Sequence, residues 1–282
     1  MIRHHNKKIK IYQVDAFTNE NFKGNPAGVC ILKKPIPEYK MQLIAREMNL
    51  SETAFAMPMH KNKNDIKNNY ILRWFTPEKE VDLCGHATLA TSKVLFEALS
   101  LEGEEINYET KSGKLVAKKD EEGIILNFPL DEAINFNIKA EELLQALGVK
   151  NYINIFLGRN TKKLIIHVGK EEDVRALSPN FSQMIKWNLS SHIKGVAVTA
   201  LSEKYDFVSR YFNPWVGVNE DPVTGSVHTV LASYWRNILG KDILKAYQAS
   251  PRGGEIILKV LDGKRVNLIG DGVIIIEGYM YI

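Results

Sequence analysis

The sequence predicts an α+β protein of two pseudo-symmetric lobes, each a β-barrel-like sheet around a central helix, and three observations predict it. The chain repeats itself: "RWFTP" at 73–77 returns as "RYFNP" 137 residues later, "CGHATLA" matches "TGSVHTV" at an offset of 140, and "NLS" at 49–51 recurs at 188–190. Matches in one order at nearly constant spacing indicate a duplicated unit. The two halves also run through the same succession of strand, helix, strand and longer helix. Finally, the two longer helices are apolar on more than one side, as Val94 with Leu95 and Leu231 with Trp235 show, which suits a helix inside a strand-rich shell better than one lying on an open sheet.

Taken in order, "KIKIYQVDAFT" alternates as a half-buried strand does. "PEYKMQLIAREM" places Met41, Ile44 and Met48 on one helical face. The Lys/Asn-rich "HKNKNDIKNN" reads as an exposed hairpin tip before the strand that carries "RWFTP". A helix opening at Gly85 then spaces Ala87, Ala90, Val94 and Ala98 by three or four. In the second half "LGRNT" is a loop before the strand "KKLIIHV", and "SPNFSQMIKW" is a helix with Ser178 as cap and Pro179 in its first turn. The second long helix carries Val227, Val230, Leu231, Tyr234 and Ile238, and two last strands flank Gly270-Asp271-Gly272. No linker is rich in Pro, Gly or Ser. The division falls in "NFPLDEAINF", giving lobes 1–128 and 129–282, with the last strand available to complete the N-terminal lobe.

Composition narrows the function classes. With 45% hydrophobic and 25% charged residues the chain is an ordinary globular protein. Its net charge of +4 comes without a basic helix or an aromatic-basic sheet pattern, which argues against nucleic acid as a partner. No apolar run reaches the roughly 20 residues of a membrane span, and no apolar block follows the basic start as in a signal peptide. Two cysteines, Cys30 and Cys84, without metal-finger spacing suit a reducing, cytoplasmic setting.

Both long helices open on a glycine, Gly85 before His86 and Gly225 before Ser226. Exposed N–H groups and the helix dipole make such ends fit for a carboxylate, although glycine there could also serve only a turn. The repeat tests Cys84. A two-thiol racemase needs one thiol on each face of the substrate carbon, and the counterpart of Cys84 is Thr224, which leaves Cys84 as a small buried hydrophobe. "MNLSETAFAMP" sets Glu52 between apolar stretches, where burial would raise its pKa toward the range useful for proton transfer; its counterpart is Ser191. Alternatively, Ser51 and Glu52 cap a turn or form an ion pair. Asp221, four residues before Gly225, either orients a histidine and holds a substrate amine or hydroxyl, or steadies the helix start. Ser226 lacks a G-x-S-x-G elbow, and His228 reads as a packing residue.

"DAFTNENFKGNPAGV", "MNLSETAF", "RWFTPEKEVDLCGHATLAT" and "EDPVTGSVHTVLASYW" together resemble the PhzF-like family, named for the phenazine-biosynthesis isomerase and related to diaminopimelate epimerase and proline racemase. The resemblance spans essentially the whole chain. It implies the diaminopimelate epimerase-like fold, an active site in the cleft between the lobes, a homodimer, and no need for a metal or an organic cofactor. It further implies a small carboxylate-bearing substrate, with Glu52 as the general acid/base that moves a proton within it. His86, Asp221 and Ser226 would assist, and Gly85, Gly225, Thr224 and Ser51 would line the substrate. A cysteine is kept at 84, where the epimerase relatives have their first catalytic thiol, and the second is replaced by Thr224. Two other readings stay open: a racemase or epimerase of an amino acid-like substrate using an unlike pair such as Glu52 and Cys84, and a small-molecule binding protein without turnover.

Overall fold

The structure, a computed structural model, describes residues 7–59, 68–187 and 193–282. The hairpin tip expected at 60–69 lies almost wholly outside them, as do Ser191 and the second "NLS". The chain divides into two compact units, Met1–Leu126 with Gly270–Ile282, and Asn127–Ile269. The fold is α+β, a mixed sheet with few helices in each unit.

In the first unit, strand Lys8–Ala16 lies antiparallel to both Asn25–Ile31 and the last strand, Gly272–Tyr281, so the end of the chain belongs to this unit. Asn25–Ile31 runs parallel to Glu52–Pro58, with Ala27 opposite Glu52, and the crossover between them holds helix α1, Glu38–Met48. Met41, Ile44 and Ala45 are its buried residues, and Met48, expected on the same face, is partly buried against the same cluster. Asn49 ends the helix in the left-handed conformation at φ 49°, its N–H bonded to the carbonyl of Ala45. Asparagine tolerates that conformation, and three residues later Glu52 opens its strand. Glu52–Pro58 pairs antiparallel with Asn69–Phe75, which runs parallel to Glu105–Thr110; Glu105–Thr110 in turn pairs antiparallel with Gly113–Asp120. Helix α2, Gly85–Lys93, is packed against several of these strands, and every residue from His86 to Lys93 is buried. It continues as a π-helical turn, Val94–Ala98. Full burial accounts for its small and apolar residues, while the buried Lys93 is paired with Asp271 at 2.7 Å.

The second unit repeats this order. Asn154–Gly158 and Leu164–His167 are antiparallel, a crossover leads to the parallel strand Val196–Leu201, and Phe207–Asn213 pairs back antiparallel. Phe207–Asn213 runs parallel to Ile243–Gln248, followed by the antiparallel strands Gly254–Leu261 and Arg265–Gly270. The long helix Gly225–Leu239 buries Val227, His228, Val230, Leu231 and Trp235.

Several local expectations need correction. The crossover helix is Phe181–Lys186, capped by Asn180, whose Oδ1 accepts from the N–H of Gln183 at 3.0 Å; Ser178 and Pro179 precede it. Leu157 and Gly158 close a strand instead of opening a loop. Two short helices, Glu141–Leu147 and Glu171–Arg175, are additional.

The repeated R-aromatic-F-x-P motif has one structural meaning in both units. The guanidinium of Arg73 grips Glu80 through two bonds, at 2.6 and 2.8 Å, and that of Arg210 grips Glu220 at 2.7 and 2.8 Å. Each arginine also lies 5.2 Å from the centre of the phenylalanine two residues on, Phe75 or Phe212. Bidentate pairing and a cation over a ring both favour arginine over lysine. The pair anchors the short return strand that leads to each long helix.

Candidate active site

In the first unit the chemistry gathers where the strand Glu52–Pro58 begins and helix α2 begins. Cys84 precedes the helix in extended conformation, and its carbonyl accepts from the Thr88 hydroxyl at 2.6 Å and the Thr88 N–H at 3.2 Å. That turn brings His86 between three groups. Its Nδ1 is 3.5 Å from Cys84 Sγ, and its Nε2 is 3.2 Å from Ser51 Oγ and 3.4 Å from Glu52 Oε2. With the proton on Nε2, the ring donates toward Ser51 and Glu52 while Nδ1 accepts from the thiol.

Cys84 and His86 are buried, whereas the Glu52 side chain keeps 21% of its exposure. A carboxylate so placed is only partly hydrated and keeps a share of its surface open to solvent. Its surroundings are more polar than the flanking apolar residues suggested, since histidine and serine stand beside it. Cys84 is likewise more than a buried hydrophobe: its sulfur contacts the histidine. Ser51 also lies 3.4 Å from Asn25 Oδ1 and from the carbonyl of Pro26.

The second unit has the same turn with different side chains. Thr224 precedes its helix, and its Oγ1 donates to Asp221 Oδ2 at 2.5 Å. Gln248, fully buried, fastens the loop from the far side: its Oε1 accepts from the N–H of Thr224 at 2.8 Å and its Nε2 donates to the carbonyl of Asp221 at 2.6 Å. His228 Nδ1 donates to the carbonyl of Thr224 at 2.7 Å. Burial pushes His228 down to about 4, so it is neutral at neutral pH. Ser226 lies one residue into the helix, half-buried. Neither Gly85 nor Gly225 has a left-handed backbone, so turn geometry alone does not call for glycine at either place.

Lys163 adds a cation to this second set. Its amine bonds to the Tyr211 hydroxyl and lies 4.4 Å from that ring's centre. Burial lowers its pKa to about 8, against the opposing pull of Asp221. Tyr211 in turn donates to the carbonyl of Lys194 at 2.6 Å. Gly195 makes room for this, since a Cβ there would stand 2.1 Å from the Tyr211 oxygen, and its φ of +95° is itself a glycine conformation.

Asn25, Gln248, Lys163 and Tyr211 escaped the reading of the sequence. Asn25 stood in the quoted "KGNPAG", and Gln248 is a polar residue in the otherwise alternating strand "ILKAYQ"; a buried polar residue at such a position is the signal each one gave.

Comparison with known proteins matches residues 14–278 to the family model described as phenazine biosynthesis-like protein, PhzC-PhzF. A protein named as an uncharacterized isomerase of Halalkalibacterium halodurans is 44% identical, covering 96% of this chain and 98% of its own. A crystal structure of a phenazine biosynthesis protein of the PhzF family from Enterococcus faecalis superposes with a TM-score of 0.89 at 42% identity, over 98% of this chain and all of that one. A hydroxyproline epimerase from Agrobacterium vitis shares the fold alone, at 12% identity and a TM-score of 0.59 over 98% of this chain and 93% of that one.

Proposed function

Because the chain belongs to the phenazine biosynthesis-like, PhzF, family, we propose that it is a cofactor-independent isomerase whose Glu52 moves a proton within a small carboxylate-bearing substrate. One observation carries this reading: the Glu52 carboxylate is partly open to solvent and is held 3.4 Å from the Nε2 of a buried histidine. A base so placed is positioned and polarised before substrate arrives. Glu52 takes a proton from a carbon acidified by conjugation, the electron pair shifts the double bond, and protonated Glu52 returns the proton further along the same face. His86 steadies the carboxylate and follows its change of charge. Gly85, without a side chain at the start of the same helix, leaves amide groups uncovered for the substrate carboxylate. Ser51, beside the carboxylate, serves a polar group of the substrate.

Geometry weighs against the unlike-pair epimerase. Donor atoms of Glu52 and Cys84 lie within 4.8 Å of each other. Two groups flanking one carbon from opposite faces, each about 3–3.5 Å from it, stand roughly 6–7 Å apart. The spacing of Cys84 and Glu52 is shorter than that arrangement needs.

Incubation in deuterium oxide with cyclic diene amino acids and other unsaturated amino and hydroxy acids tests the reading. Deuterium entering at a new position with migration of the double bond, and without inversion, is the expected result. The E52Q variant should lose about 10²- to 10⁴-fold of that rate. Wild-type exchange in E52Q would remove Glu52 from its role, and inversion at a stereocentre would favour the epimerase.

A further inference from the structure

Among the described residues, Glu52, Cys84 and His86 each offer a donor atom within 4.8 Å of the other two. The set is a thiol, an imidazole and a carboxylate, the mixture that suits a borderline-soft ion such as Zn²⁺ and not a hard one such as Mg²⁺. Zn–S bonds of ~2.3 Å and Zn–N or Zn–O bonds of ~2.0–2.1 Å in a tetrahedron put neighbouring ligands about 3.3–3.6 Å apart. Cys84 Sγ lies 3.5 Å from His86 Nδ1, and His86 Nε2 lies 3.4 Å from Glu52 Oε2. Those two distances run to different ring nitrogens; with one nitrogen used, the three donor atoms lie within 4.8 Å of one another, so binding requires the donors to draw together, and the Glu52 carboxylate is the least buried of the three groups. The turn at the start of α2 fixes Cys84 and His86, so little order is lost on binding. At the equivalent turn of the second unit stand Thr224 and Ser226, which offer hydroxyls in place of the thiol and the imidazole.

We propose that Glu52, Cys84 and His86 form a site for a thiophilic divalent cation, Zn²⁺ above all, and that its occupation switches the protein off by withdrawing the base. Binding expels the thiol proton to solvent, leaving thiolate on the metal, so affinity rises with pH. Three protein ligands leave a fourth position for water. The site itself stands on geometry alone. Only the switch rests on Glu52 being the base, and the two are measured separately.

The test is titration of the purified chain with Co²⁺ and competition by Zn²⁺, in an H4A/H5A background because adjacent terminal histidines chelate metals by themselves. One equivalent of Co²⁺ is expected, with a near-ultraviolet thiolate-to-cobalt absorption that Zn²⁺ displaces. C84S should lose that absorption, and H86Q and E52Q should each bind at least tenfold more weakly. Undiminished affinity in both C84S and E52Q, or no thiolate band in the parent, would overturn the site. E52Q decides the matter should C84S fold poorly, since Glu52 is partly exposed and glutamine keeps its shape. For the switch, Zn²⁺ should abolish Glu52-dependent deuterium exchange in the parent, and C84S should need at least tenfold more Zn²⁺ for the same fractional loss of its own exchange. Stoichiometric Zn²⁺ binding with exchange intact would overturn the switch and leave the site standing. Absence of exchange before any metal is added would instead count against the isomerase reading.

Discussion

The two long helices begin in the same way and end with different chemistry. Thr88 and His228 stand at the same step of their helices and do the same job: the Thr88 hydroxyl serves the carbonyl of Cys84 at 2.6 Å, and the His228 ring serves that of Thr224 at 2.7 Å. Ahead of each helix in the chain an arginine grips a glutamate and lies over a phenylalanine. The side chains set at the turn itself then diverge. The first unit places Cys84, His86 and Glu52 together, a thiol, an imidazole and a carboxylate. The second places Thr224, Asp221 and Gln248 in a closed set of hydrogen bonds. The duplication thus kept the frame that aims the helix and left the residues at its mouth free to specialise.

If the arginine pairs are the shared frame, removing them should cost most where the pair is most enclosed. Arg210 and Glu220 have side chains only 9% and 13% exposed, and Arg210 also donates to the carbonyl of Leu177 at 2.6 Å. R210A strands a buried carboxylate, so a loss of about 3–5 kcal/mol in urea unfolding is expected. A loss under about 1 kcal/mol would break the analogy between the motifs.

The next effect separates the units by pH. His228 titrates near 4 when folded, below the ordinary histidine value of 6.5, because it is fully buried. The unfolded chain therefore takes up the proton first as pH falls. The stability from keeping this ring neutral is full above pH 6.5, declines between 6.5 and about 4, and falls no further below that. By linkage its share amounts to about 3 kcal/mol. Thr88, its counterpart, has no such dependence. H228N can still donate to the Thr224 carbonyl and should remove this part of the pH dependence; an unchanged difference between pH 7 and pH 4.5 would assign it elsewhere.

The repeat was legible because its anchors sit within short stretches. Arg73 and Phe75 act on each other two residues apart, and so do Arg210 and Phe212, so the local string carries the interaction. Glu52 was legible for the opposite reason, as a carboxylate conspicuous between apolar neighbours. Its contact with His86 was not, because that depends on where a strand and a helix start in space. Gln248 holds a loop more than twenty residues away in the chain; the alternation of its strand marks an inward polar residue but not the loop it fastens. The helices Glu141–Leu147 and Glu171–Arg175 are too short for a repeating apolar face to be distinct. At "SPN" two good capping residues stand two apart, and sequence alone does not choose between Ser178 and Asn180.

The remaining tests probe smaller differences between the halves. Arg73 is more exposed than Arg210, and Glu80 keeps Lys111 as a second partner. The Arg73 guanidinium beside Glu80 holds that carboxyl below its ordinary range. R73A should therefore cost about 1.5–3 kcal/mol, less than R210A, because Glu80 retains a cation. Equal losses would mean that the second cation contributes nothing.

The smallest contrast lies in the crossovers. In the first unit α1 starts after Pro37 with no side-chain cap, whereas in the second Asn180 caps its helix through the N–H of Gln183. N180A should cost about 1 kcal/mol, and N180D should restore most of it, because aspartate accepts the same bond and also favours the positive helix end. A helix of six residues has little propensity of its own to resist that loss, so hydrogen exchange at Gln183 and Met184 should rise in N180A while α1 is unchanged. Faster exchange in α1 as well would show that the two crossovers unfold together, and the cap would then be a property of the whole protein instead of one half.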